Sequence, residues 1–449
     1  MIALRFNELA QLLNGEDSSE NPVLASIATD SRKAQPGSLF AALPGERVDG
    51  HDFADTAVRL GAVALLVSRR LDLPVPQLVV DDVLVALGRI AALMRSRLHP
   101  QVVGITGSNG KTTVKEMVAG ILRIKGEVLA TEGNYNNELG LPLTLFGLSE
   151  RHRYAVLEMG ASKPGDIAYL ADIAQPDVGI VTNIGPAHLE GFGSVEGVAR
   201  TKGEMFAGLP KNGCAVMNAD EPWLTTWQEL NQANRTITFG ASQESDVRLD
   251  DSGDHPRILA ADGEIELKLA LPGRHNLYNA AAATAAALAL DIEMEIIRQG
   301  LERVEPVPGR LNVLHTRAGW TVIDDSYNAN PASLYSALQV LTGQSGEPWL
   351  VLGDMKELGT DSPKMHREVG ENARTMGVRR LFATGEMSEH TVDAFGRGAE
   401  HFADKDELVA TLRNEVKPGV NCLVKGSRSM GMESVVEAVL EESGQREAG

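Results

Sequence analysis

Residues 101–113 constrain this chain more than any other stretch. Gln101–Thr106 (QVVGIT) is a short apolar run of buried-strand character that leads straight into Gly107-Ser108-Asn109-Gly110-Lys111-Thr112-Thr113. Residues 114–124 follow with helical apolar spacing. A strand, a glycine-rich turn ending in Gly-Lys-Thr and a helix together form a phosphate site. The glycines let backbone N–H groups converge on phosphate oxygens, and the helix N-terminus adds partial positive charge. Lys111 is placed to neutralise β- and γ-phosphates, and the Thr112 hydroxyl to ligate Mg²⁺. The spacing departs from the strict phosphate-loop pattern, whose first glycine would fall on Ile105. A tight turn carrying a surface lysine would account for a bare glycine loop, but not for strand, Gly-Lys-Thr-Thr and helix in sequence.

A strand-loop-helix of this kind belongs to an α/β fold. Residues 154–158, 178–182 and 215–218 repeat the short apolar strand, separated by segments long enough for crossover helices, which predicts a mostly parallel sheet. Residues 236–271 alternate more like antiparallel strands, and an alanine-rich helix is predicted over 279–290. The turn Pro306-Val307-Pro308-Gly309-Arg310 suggests a boundary. Beyond it, strands at 320–324, 349–352, 380–383 and 421–424 alternate with helices in a Rossmann-like pattern. The first eighty residues read as a small α/β unit with a helix over Phe6–Leu13 and a strand over Ala62–Val67, and a helix over 82–98 leads out of it. The chain of 449 residues is expected to form three domains: 1–82, a central ATP-binding domain over 83–310, and a Rossmann-like domain over 311–449.

The net charge of −19 is spread over all three stretches. No basic face of the kind that nucleic acid or an anionic membrane requires is visible. Cys214 and Cys422 lie far apart and outside any metal-ligand spacing, which suits a reducing cytoplasm. No run approaches 18 apolar residues, and the first fifteen residues read as an amphipathic helix, not a secretory signal. A cytoplasmic enzyme without membrane insertion is expected.

Two further strand ends carry chemistry. Glu158 closes Tyr154-Ala155-Val156-Leu157-Glu158, at the edge where open α/β sheets bind ligands, and its carboxylate suits a hard cation. His188, in Val181-Thr182-Asn183-Ile184-Gly185-Pro186-Ala187-His188, can ligate metal through a neutral imidazole. Taken singly, a capped or salt-bridged strand-end glutamate and a packed, hydrogen-bonded loop histidine are the better readings.

Taken together, the motifs resemble the Mur ligases. The order of Thr106 to Thr113, Leu157-Glu158-Met159-Gly160, Asn183 to His188 and Thr201-Lys202-Gly203-Glu204 is theirs. So is that of Leu271 to Asn276, Val307 to Arg310, Asp324-Asp325-Ser326-Tyr327-Asn328-Ala329-Asn330-Pro331, Leu352 to Gly359 and Val424 to Arg428. The Asp-Asp-Ser-Tyr-Asn-Ala-Asn-Pro form, with Thr29-Asp30-Ser31-Arg32 and Gly45 to Phe53, narrows the resemblance to members that use D-alanyl-D-alanine. The resemblance implies an ATP-dependent amide ligase of peptidoglycan precursor synthesis. It would activate the carboxylate of UDP-N-acetylmuramoyl-tripeptide as an acyl phosphate and join it to that dipeptide, acting as a monomer on small molecules.

Carried over residue by residue, Gly107, Ser108, Asn109, Gly110, Lys111, Thr112 and Thr113 would cradle the phosphates. Thr112, Glu158, His188 and Lys202 would serve two Mg²⁺ ions. Asn276 would contact adenine, Arg310 the phosphates and Asp325 the ribose. Lys202 matches a lysine that relatives carry as a carbamate, whose oxygens attract Mg²⁺ where an ammonium repels it; a plain lysine beside Glu204 is the other reading. Lys111, His188, Lys202 and Arg310 are the catalytic candidates. Asn134, Asn136 and Asn137 resemble a substrate-side loop, though asparagine and glycine are also ordinary turn residues. Ser31 and Arg32 would read the UDP-linked substrate. Lys425, Ser427 and Arg428 follow the last predicted strand and would close over the acceptor or nucleotide. A different amide ligase of the same group, or a nucleotide-dependent switch, are the competing functions. The D-alanyl-D-alanine motif opposes the first. The conjunction of Glu158, His188 and Lys202 opposes the second.

Overall fold

The computed structural model describes residues 2–45, 48–253, 255–442, 447 and 448; Glu46 and Arg47 of the amino-terminal motif lie outside the described residues. The strand Gln101–Thr106 sits inside a nine-stranded sheet. On one side it pairs in parallel with His152–Glu158, and beyond that lies Glu127–Ala130. On the other side come Val178–Val181, Cys214–Asn218, Arg235–Gly240 and Val247–Asp250, all parallel. Arg257–Ala260 and Gly263–Glu266 finish the sheet antiparallel. The central strands are buried along almost their whole length, as continuous apolar runs between two helical layers require.

Sequence alternation misjudged residues 235–240. Arg235–Gly240 joins Cys214–Asn218 in parallel instead of starting an antiparallel set, which begins only beyond Val247–Asp250. Two helices also start earlier than their apolar spacing suggests. The loop helix runs Lys111–Arg123, and the alanine-rich helix runs Arg274–Ala289. Each is entered from a glycine of positive φ, Gly110 at 81° and Gly273 at 97°, which allows a sharp turn into the first helical residue.

The phosphate-loop helix is held tightly. Met294–Glu302 crosses it where Gly300 meets Ile121, and a Cβ on Gly300 would lie 2.5 Å from the Ile121 Cα. Val114, Met117, Val118 and Ile121 are buried there with the alanines of Arg274–Ala289.

A four-stranded parallel sheet, Ser26–Ala28, Ser38–Ala41, Ala62–Val67 and Gln77–Val79, forms the amino-terminal unit. Helix Val83–Leu98 starts where Asp82 accepts the Leu84 and Val85 N–H groups at 2.8 and 3.1 Å. Leu87, Ile90 and Met94 on this helix share one core with Leu9 and Leu39 before it and Leu141, Ile167 and Trp227 after it. The amino-terminal unit is thereby welded to one face of the large sheet. The carboxy-terminal sheet has the order Ala399–Phe402, Arg380–Thr384, Glu347–Gly353, Val420–Lys425, Thr321–Asp325, Asn312–His315, Glu447–Ala448. Its first five strands are parallel, so their carboxyl ends, Asp325 and Lys425 among them, share one rim.

Candidate active site

The rims of the two large sheets face a cleft of about 740 Å³. Gly107 to Thr113 form its floor. Gly107 has φ 146°, and a Cβ on it would fall 1.9 Å from Thr182 Oγ1. Asn183 braces the loop: its carbonyl accepts Ser108 N–H at 2.9 Å and its Oδ1 accepts Asn109 N–H at 3.0 Å. Those two amides are therefore spent within the protein. The first helical turn, Lys111 to Thr113, supplies the N–H groups without intrahelical partners. Lys111 folds back over the loop, donating to the Gly107 carbonyl at 2.9 Å. Burial holds its pKa below the usual lysine value; Glu158 opposes that shift and Arg310 adds to it.

A chain of polar contacts crosses the cleft. Asn136 Nδ2 donates to Glu158 Oε1 at 2.8 Å, Thr112 donates to Glu158 Oε2 at 2.8 Å, and Arg310 Nη2 donates to Thr112 Oγ1 at 3.2 Å. Glu158 and Thr112 are buried oxygens side by side, a donor set that suits a hard cation. Lys202 lies in the same cleft, 2% exposed, with its Nζ 5.8 Å from the Phe192 ring centre. Burial, with the Lys111 charge adding to it, lowers its pKa to about 7. As an ammonium it would repel a cation beside Glu158. As a partly neutral amine it can take up carbon dioxide and become an oxygen donor. His188, at φ 53°, is held by Glu357 through Nδ1 and lines the same cleft. Burial pulls its pKa down, against the pull of Glu357.

The carboxy-terminal wall supplies Asp325, Tyr327, Asn328, Asn330, Lys425 and Arg428. Asp325 is ion-paired with Lys425 and accepts Leu311 N–H at 3.2 Å, so both its oxygens already have partners. Asn330 caps helix Pro331–Gly343 and donates to Asn109 Oδ1 at 2.8 Å, tying that wall to the loop. Asn276, 4% exposed, sits in the first turn of Arg274–Ala289 and donates to the Pro272 carbonyl at 2.7 Å.

Most predicted site residues line this one cleft, although their spans in the sequence are far apart. Ser31 and Arg32 do not line it. Ser31 is buried in a 3-10 turn, and the exposed Arg32 forks onto Asp30 at 3.0 and 2.7 Å. Within the asparagine loop, Asn137 Oδ1 accepts Gly140 N–H at 2.9 Å, which is turn chemistry, whereas Asn136 reaches Glu158. Sequence reasoning passed over Asn183, Tyr327, Asn330 and Glu357. All four lie inside the motifs quoted above, Asn183 in Asn183 to His188, Glu357 in Leu352 to Gly359, and Tyr327 and Asn330 in the Asp-Asp-Ser-Tyr-Asn-Ala-Asn-Pro run; their partners become visible only in the fold.

Comparison with known proteins agrees with this architecture. The family signature described as "Mur ligase family, catalytic domain" matches residues 24–100, "Mur ligase middle domain" matches 105–287, and "Mur ligase, glutamate ligase domain" matches 309–428. The chain is 43% identical to the UDP-N-acetylmuramoyl-tripeptide–D-alanyl-D-alanine ligase of Escherichia coli K12, covering 98% of this chain and 99% of that protein. A crystal structure of MurF from Acinetobacter baumannii superposes with a TM-score of 0.91 at 33% identity, covering 98% and 99% of the two chains. MurF of Thermotoga maritima, solved with ADP, superposes with a TM-score of 0.85 at 32% identity, covering 93% and 97%. With all three of its regions matched and its length shared end to end, the chain belongs to the Mur ligase family.

Proposed function

We propose that this protein joins D-alanyl-D-alanine to UDP-N-acetylmuramoyl-tripeptide at the expense of ATP. The carrying observation is likeness across the whole length to a ligase of that name, amino-terminal unit included. The substrate carboxylate attacks the γ-phosphorus of ATP, ADP leaves, and an acyl phosphate forms. The dipeptide amine then attacks the acyl carbon, loses a proton, and the C–O bond to phosphate breaks. Oxide is a poor leaving group from a carboxylate and phosphate a good one, so the protein's work is positioning and charge neutralisation.

Residues 1–82 would read the UDP-linked substrate, with Ser31 and Arg32 on that unit. Residues 83–310 would bind ATP, and 311–449 would close over it, with Asn276 at adenine and Asp325 at ribose. Gly107, Ser108, Asn109 and Gly110 shape the phosphate loop, with Lys111, Thr112, Thr113 and Arg310 facing the phosphates. The Asn134–Asn137 loop faces the peptide substrate. Thr112, Glu158, His188 and a carbamylated Lys202 would hold Mg²⁺, two ions in all, and bound Mg²⁺ supplies neutralisation of phosphate charge. The ADP complex of the Thermotoga relative supports the nucleotide assignment. Among the described residues no helix is long and apolar enough to cross a membrane. The reading places the protein in the cytoplasm as a monomer acting on small molecules.

The test offers D-alanyl-D-alanine, D-glutamate or L-glutamate, each with its matching carboxylate substrate, and follows phosphate release and product mass. D-Alanyl-D-alanine should be used, with one amide formed per ADP, and the panel run with lysine- and diaminopimelate-containing tripeptides reads the third residue. Turnover with a glutamate alone would refute the substrate assignment. Nucleotide hydrolysis without amide would refute the ligase.

A further inference from the structure

Five arginines lie against aromatic rings; Arg153 over Tyr154 lies outside the cleft, and of the other four one is held differently. Arg274 over Tyr278, Arg380 over Phe382 and Arg428 over Tyr327 each also pair with a carboxylate: Asp251, Glu415 and Glu433 respectively. Arg310 lies closer to its ring than these do, with Cζ 4.0 Å from the Tyr327 centroid, and among the described residues it has no carboxylate partner. Its side chain donates to Thr112 Oγ1, and among the described residues its buried Nε has no partner.

Ring and guanidinium are delivered by two turns laced together. Tyr327 N–H donates to the Gly309 carbonyl at 3.2 Å, and Gly309 N–H donates to Asp324 at 3.1 Å. Gly309 has φ 76°, and a Cβ there would stand 3.2 Å from the Tyr327 Cβ, so the turn before Arg310 is pressed against the base of the tyrosine. Both residues line the nucleotide cleft.

We propose that Tyr327 is a positioning residue: its ring fixes the Arg310 guanidinium toward the terminal phosphate of ATP without occupying its N–H groups with a carboxylate. The inference rests on the phosphate role given to Arg310 above. A carboxylate partner would orient the guanidinium equally well but cancel much of its field at the phosphate. An aromatic face attracts the cation through its quadrupole and leaves the edge N–H groups free for oxygen acceptors. The orphaned Nε is a donor kept dry for such an acceptor, since burying an unpaired donor is otherwise costly. Arg428, 5.5 Å from the same ring centroid, is tied back by Glu433 at 2.8 Å and does not compete for that role.

The experiment titrates ATP and ADP separately, with Mg²⁺, into the full-length protein and its variants by calorimetry. Tyr327→Leu should weaken ATP about tenfold and ADP by less than about twofold, because only ATP carries the terminal phosphate. Tyr327→Phe should restore ATP affinity to within about twofold, since the ring is kept. In an Arg310→Ala background, Tyr327→Leu should cause little further loss. Equal weakening of ATP and ADP by Tyr327→Leu, undiminished ATP affinity, or a full further loss in the Arg310→Ala background would each overturn the inference. Should Tyr327→Leu fail to fold, Tyr327→Met, also ringless, carries the same comparison. Arg310→Ala alone separates the two readings. If it leaves ATP affinity intact, the phosphate role of Arg310 fails; if it weakens ATP while Tyr327→Leu does not, only the positioning role fails.

Discussion

Thr112 and Arg310 stand 198 residues apart in the chain and meet at 3.2 Å, the threonine hydroxyl accepting from the guanidinium while donating to Glu158. One hydroxyl thus joins the phosphate loop, the end of a neighbouring strand and the entry to the carboxy-terminal sheet. Thr112→Val keeps the shape and removes both bonds. Arg310→Lys keeps the charge and loses the planar fork and the ring contact. Each should lower kcat/KM by about a hundredfold or more, the usual scale for losing one placed donor at developing charge. Steady-state kinetics checks this, with thermal melts shifting little.

Gly107→Ala should weaken nucleotide binding without unfolding the protein. The new Cβ would fall 1.9 Å from Thr182 Oγ1, and that hydroxyl donates to the Asn109 carbonyl at 2.6 Å, so the loop can admit the methyl only by giving up its brace. A loss of at least about tenfold in ATP affinity is expected from strain of this kind. Calorimetric titration reads the affinity, and unchanged far-ultraviolet circular dichroism would show that the sheet remains.

How far this site was legible in the sequence depended on how local each signal was. Phe6–Leu13, Ala62–Val67 and Gln101–Thr106 have in the structure the bounds their apolar spacing suggests, because each buries one continuous face or run. Arg235–Gly240 was misjudged because alternation reports exposure on one face and carries no information about the direction of the neighbouring strand. The starts at Lys111 and Arg274 were set late because apolar spacing begins where a helix meets the core, not where its first hydrogen bond closes. Tyr327 and Glu357 lie in recognisable motifs, but nothing local showed that one would meet Arg310 and the other His188. Each joins segments whose meeting is fixed by the packing of the two large sheets.

Lys202→Ala should lose most activity and regain part of it with added formate or acetate. The buried amine, with its pKa lowered to about 7 by burial and by Lys111, is substantially neutral at physiological pH. It can therefore attack carbon dioxide to give a carbamate and a released proton. Its oxygens would then stand beside Glu158, where a free carboxylate can partly replace them. Labelled bicarbonate should give a carbamate resonance in the unmodified protein and none in Lys202→Ala. Absence of both the resonance and the rescue would remove the carbamate from the site.

His275 should make the protein less stable in mild acid. Burial, with Lys425 adding to it, lowers its pKa from 6.5 to about 4. The folded state therefore holds the imidazole neutral where the unfolded chain binds a proton, and stability falls as pH drops through that window. The loss is complete near the folded pKa. About 2 kcal/mol between about pH 7 and pH 5 is the expected size. Urea unfolding at the two pH values measures it, and His275→Gln should flatten the dependence by that amount.

Asp325 and Lys425 form a buried ion pair that should be costly to break singly. Both are buried at the ends of adjacent parallel strands, and Lys425 also donates to the Asn328 carbonyl at 2.9 Å. Burial pushes the carboxyl pKa up and the ammonium pKa down, while their mutual attraction opposes both shifts. Lys425→Met leaves a carboxylate without its counter-charge in a dry rim and should cost about 3–5 kcal/mol. Adding Asp325→Leu removes the stranded charge and should recover most of that loss, because two apolar side chains need no partner there. Chemical unfolding of the two single variants and the double variant gives the coupling. Activity separates stability from function: if Asp325 also serves the nucleotide, the double variant should be folded, stable and weak in ATP binding. A stable double variant with ordinary ATP affinity would make the pair purely structural and take Asp325 out of the nucleotide site.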